Sequence, residues 1–82
     1  MKLLEELQQL IKAHQLIKKQ ETGTPDEFAA NLNISRSKVY NLINTFKILG
    51  AQIKYSRTRN SFYYETPFKL QLKKKLKQLY KY

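Results

Sequence analysis

The 82-residue chain has no cysteine and a single histidine, His14. Without a thiol there is no disulfide, no thiolate metal site and no cysteine nucleophile. One imidazole cannot build a His-rich metal centre. No apolar run approaches the ~18 residues of a membrane span. The opening MKLLEELQQL places acids where a secretion signal has a basic end and an unbroken apolar stretch. A cytoplasmic protein is therefore expected, without membrane contact. Glycine and proline are scarce, two of each. No carboxylate pair, metal cluster or nucleophile–base arrangement stands out, so neither catalysis nor a cofactor is expected.

Acids are scarce too: six Asp+Glu face 16 Lys+Arg, a net charge of +10. Residues 1–30 carry −1, residues 31–66 carry +5 and residues 67–82 carry +6. A surplus confined to one part of the chain calls for a polyanion. Hydrophobic residues make up 41%, enough for one small core. A chain this short buries only roughly 60–65% of its unfolded surface, so a single domain is expected in these residues.

The periodicity predicts a mainly α fold with a small β-hairpin. Leu3, Leu4, Leu7, Leu10, Ile11, His14 and Ile17 recur at three- and four-residue spacing, predicting a helix over 3–19. Thr24-Pro25-Asp26-Glu27 announces a second helix, with Thr24 as cap, Pro25 in the first turn and Glu27 completing a capping box. Its inner face is Phe28, Ala29 and Leu32, and it ends near Asn33, a residue able to turn left-handed. Ser35 can cap a third helix from Arg36 to about Leu49, with Val39, Leu42, Ile43, Phe46 and Leu49 inward and Gly50 ending it. The period then becomes two. Residues 51–56 and 61–65 alternate around Arg57-Thr58-Arg59-Asn60, a hairpin with a basic tip. The tail suits extended chain to about Leu70 and an amphipathic helix to Tyr80.

Phe28, Ala29, Leu32, Asn33, Ile34, Val39 and Leu42 match the helix-turn-helix spacing. Ala29 is small where the helices cross, and Ile34, Val39 and Leu42 lock the third helix on the second. The stretch DEFAANLNISRSKVYNLINTFKILGAQIKYSRTRNSFYY resembles the winged helix-turn-helix of bacterial transcription regulators, most closely the DeoR-type, biotin-repressor-type and WYL-associated N-terminal domains. The resemblance covers roughly residues 3–65. The family's usual turn glycine is Asn33 here, and its glycine-rich wing tip is Arg59-Asn60-Ser61. The family's larger effector domain has no counterpart in these residues, so no small-molecule ligand is expected. The resemblance implies a winged domain over 1–66, with a basic C-terminal extension over 67–82. It implies sequence-specific binding of double-stranded DNA by a small transcriptional regulator, nucleoid-associated if bacterial.

On that reading the third helix reads the major groove. Arg36, Ser37, Tyr40, Asn41 and Asn44 are candidates for base edges: Arg bonds guanine bidentately and Asn adenine. Ser35 is a helix cap that also presents its hydroxyl to phosphate. Lys38 suits phosphate, as do Lys54 on the hairpin and Arg57 and Arg59 at its tip. For each there is a plainer reading: a solvated polar face, or a charged hairpin tip that prevents aggregation. His14 reads as a packed or interface-edge residue. Tyr55, Phe62 and Tyr64 either stack bases or pack the sheet on the helices. The lysines at 73–77 are either a second nucleic-acid arm, a membrane-surface helix or a solvated face. Two alternatives stay open for the whole chain: a DNA- or RNA-binding accessory without sequence choice, and a protein-interaction module for an acidic partner. Leu3, Leu7, Leu10, His14 and Ile17 step like a heptad seam, with Leu4 and Ile11 turned toward the core. With the stripe over 72–80, that seam predicts a homodimer or an intramolecular packing contact.

Overall fold

A computed structural model describes residues 2–70. It contains three helices and a two-stranded antiparallel sheet: α1 (Lys2–Lys19), α2 (Pro25–Leu32), α3 (Arg36–Ile48), β1 (Ile53–Ser56) and β2 (Ser61–Tyr64). The layout is mainly helical with a small hairpin, compatible with a winged-helix arrangement. Among the described residues no helix is long and apolar enough to cross a membrane.

Each helix end has a local cause. Thr24 caps α2 by accepting from the Glu27 amide, and the Glu27 carboxylate accepts from the Thr24 amide at 2.9 Å, a complete capping box. Hydrogen bonding from Thr24 to the carboxylate, from its backbone amide first and its side chain second, holds the Glu27 carboxyl below its ordinary pKa. The Glu27 side chain also lies against Gly23. A Cβ there would come within 2.8 Å of the Glu27 Cβ, and φ is +75°, so both space and backbone call for glycine. Ser35 caps α3 in the same way, through the Lys38 amide at 3.2 Å.

All three helices end by one motif. Gln20, Asn33 and Gly50 take left-handed or positive φ (58°, 57° and 105°). The next amide, of Glu21, Ile34 or Ala51, reaches back five residues to a carbonyl, at 2.9, 3.0 and 2.9 Å. That pattern satisfies carbonyls a helix end would otherwise leave bare.

The core joins all five elements: Leu10, Ala13 and Ile17 from α1, Phe28, Ala29 and Leu32 from α2, Val39, Ile43 and Phe46 from α3, and Ala51, Ile53 and Phe62 around the hairpin. α2 packs on α3, and α1 packs on β2. Phe62 meets Phe28 and Tyr55 at ring distances of 5.8 and 5.0 Å. The sheet aromatics therefore pack the hairpin on the helices rather than form an open platform. His14 is half-buried: its Nδ1 lies 2.7 Å from the Tyr64 hydroxyl, and its ring faces Tyr64 and Phe68. Phe68 also meets Phe46 at 6.2 Å, which carries the start of the C-terminal extension onto the core.

Two expectations need correction. The buried face of α1 centres on Leu10, Ala13 and Ile17, whereas Leu4 and Ile11 are exposed. Successive residues lie about 100° apart around a helix, so burying Leu10 turns Ile11 outward. The heptad-like seam is thus the core-facing side, and the two residues expected beneath it are on the surface. Leu49, expected inward, is exposed, because α3 ends at Ile48 and Leu49 is already its C-cap. The expected helix to Tyr80, the lysines at 73–77 and the stripe over 72–80 lie outside the described residues.

The break between α1 and α2 is firmly held. Thr22 is fully buried, and its amide donates to the Ser61 Oγ at 3.1 Å. The Phe62 amide donates to the Thr22 Oγ1 at 2.9 Å. The Thr22 and Ser61 hydroxyls are 3.1 Å apart.

Candidate nucleic-acid interface

α3 has two unlike sides. Val39, Ile43 and Phe46 are buried. Ser35, Arg36, Ser37, Lys38, Tyr40, Asn41 and Asn44 are all exposed. Sequence spacing alone separates them, because the apolar positions recur at three and four residues and the polar ones fill the opposite arc. The polar face carries two cations near the helix start, and the first turn has no acid.

Local contacts divide these residues. The Ser35 hydroxyl is engaged in the cap. The Arg36 guanidinium lies 3.8 Å from Asp26 of α2. Its pKa is held above the ordinary arginine value, first by hydrogen bonding with Tyr40 and then by the charge of Asp26. Tyr40 is half exposed (47%), so an aromatic ring stands on the open face beside the guanidinium. Lys38 and Asn41 line a cleft of about 230 Å³ with Glu5, Glu6 and Gln9 of α1. α1 thus sets an acidic edge along one side of the α3 face.

The hairpin tip is a second cationic element. Ser56 pairs with Ser61, and residues 57–60 form the turn, with Asn60 at φ 49°. The Arg59 amide donates to the Ser56 Oγ at 3.2 Å. The Arg57 and Arg59 side chains are exposed, and no acid of the described residues pairs with them. Lys54 differs: it is exposed on β1 but pairs with Glu65 at 3.5 Å, which offsets its charge.

Asp26, Glu5 and Glu6 were not picked out as site residues by sequence spacing. Their nearness to α3 comes from helix packing, and no linear pattern marks it. Among the described residues no group of three or more His, Asp or Glu could hold a metal ion. Compared with family models, curated proteins and solved structures, the chain matches none.

Proposed function

We propose that the chain is a winged helix-turn-helix protein that binds double-stranded DNA in a sequence-dependent way, as a small transcriptional regulator. α2, the Asn33 turn and α3 are the helix-turn-helix, and the β1–β2 hairpin is the wing. The observation that carries the reading is the outer face of α3, polar, cationic and exposed along its length while its inner face is buried. Arg36, Tyr40, Asn41 and Asn44 offer the donors and acceptors that base edges require. Lys38, Arg57 and Arg59 supply phosphate contacts, which set most of the affinity. No bond is made or broken.

Selection of bound duplexes from a random library tests the reading directly. A recurrent motif is the expected result, and unrelated duplex should compete poorly for it. Equal competition by any duplex would leave only a sequence-blind binder. Salt provides a second measurement. Residues 31–82 carry +11. Neutralising about five phosphates gives a slope of log K against log salt of roughly −4 to −5. A slope near zero would remove electrostatic DNA binding altogether.

A further inference from the structure

Arg36 is set apart from the other candidate residues of α3 by an ion pair with another helix. Asp26 belongs to the first turn of α2, and its carboxylate lies 3.8 Å from the Arg36 guanidinium across the α2–α3 junction. Tyr40 stands four residues along α3, the spacing that brings side chains of one helix together. Asp26 has no part in the capping box, which Thr24 and Glu27 complete between them. Both members of the ion pair are open to water, with side chains 59% and 77% exposed. Such pairs add little to folding stability.

We infer that Asp26 is a positioning residue for base reading: acting from α2, it orients Arg36 toward a guanine edge and disfavours its collapse onto phosphate. The inference rests on the DNA-binding reading above and narrows it to duplexes with guanine opposite Arg36. A guanidinium offers five N–H donors in a fixed fork. With the Asp26 carboxylate 3.8 Å away and the Tyr40 hydroxyl beside it, the fork keeps donors for O6 and N7 of guanine. A long, unrestrained arginine reaches phosphate as readily as a base, and phosphate carries no sequence information. The Asp26 charge repels nearby phosphate, which penalises that sequence-blind placement. On docking, water leaves the junction and the attraction between Asp26 and Arg36 strengthens. Asp26 therefore raises discrimination while lowering general affinity.

A plain acidic surface residue would behave differently. Removing its charge would strengthen binding to every duplex alike and leave the preferred sequence intact. The test compares wild type, Asp26→Asn, Arg36→Ala and the double variant. Each is measured on the selected duplex, on the same duplex with its guanine replaced, and on unrelated duplex. Asp26→Asn should bind unrelated duplex more tightly and lose about tenfold in guanine discrimination, the scale of one bidentate contact. The double variant should discriminate no worse than Arg36→Ala alone. A uniform gain with unchanged preference overturns the inference, as does an equal loss from Asp26→Asn when Arg36 is already absent. A motif lacking guanine at the Arg36-dependent position overturns it while leaving DNA binding standing. Failure of wild type to select any motif would instead bring down the DNA-binding reading, and the inference with it.

Discussion

α2 and α3 begin alike and then diverge. Thr24 and Ser35 each place a hydroxyl on the amide three residues on. α2 follows with Asp26 and Glu27 in its first turn, whereas α3 has no acid there and follows with Arg36 and Lys38. A helix start carries roughly half a positive charge. The first arrangement supports its helix, and the second opposes it. α3 holds through its buried side, and the two cations of its start stand at opposite edges of its exposed arc, Arg36 beside Asp26 and Lys38 toward the acids of α1. Local stability guides the first design, and an outside anion would relieve the second.

The largest test of this contrast removes the support of α3. Phe46 is fully buried, and Phe46→Ala should cost about 3–5 kcal/mol in urea unfolding, a large part of what a small domain has. Arg36→Ala should leave the unfolding midpoint in place; a comparable loss there would mean that the outer face also holds the helix. Binding comes next. Arg36→Ala and Asn41→Ala should each change base preference on the order of ten- to a hundredfold at one position, whereas Arg57→Ala should weaken all duplexes alike. Parallel selections read this out, and unchanged motifs for both α3 variants would end the direct-reading role of that helix.

Replacing the caps is a smaller perturbation. Thr24→Ala and Ser35→Ala should each cost about 1 kcal/mol of stability. Only the second should also weaken duplex binding, because in the proposed DNA-binding reading only α3 turns its start to the duplex. Equal binding losses would erase the distinction between the two helices. The smallest effect concerns pH, away from both helix starts. His14 is held below its ordinary pKa of 6.5 by burial first and by Lys18 second. The unfolded chain therefore takes up that proton at a higher pH than the folded one. The contribution is complete above 6.5 and is lost as pH falls through the folded value. His14→Gln should flatten the stability profile between pH 7 and 5; an unchanged profile would show that His14 is not its source.

Much of the fold was legible because its punctuation is chemical. Thr24, Pro25 and Glu27 announce α2, Ser35 announces α3, and Asn33 and Gly50 mark helix ends. Gln20 adopts the same left-handed turn with no residue preference to reveal it. The α1 stripe misled because its apolar residues span more arc than the core covers. Ala13, small enough to be passed over, sits at the centre of the contact. Thr22 and Ser61 are buried because they satisfy each other's surroundings, a pairing across 39 residues that no periodicity can show. On α3 the outer face could be read from spacing, but the neighbours of Arg36 and Lys38 could not, since α1 and α2 supply them.

The Thr22 contact has a consequence beyond packing. A two-stranded sheet has two open edges, and an open edge is a template on which a further strand can grow. The Phe62 amide faces away from β1, and Thr22 already occupies it. Ser61 directs its hydroxyl to the Phe62 carbonyl at 2.9 Å. One threonine and one serine thus stopper the outer margin of β2 at its midpoint, where a foreign strand would need both groups. On the β2 side the hairpin is thereby kept from adding a further strand.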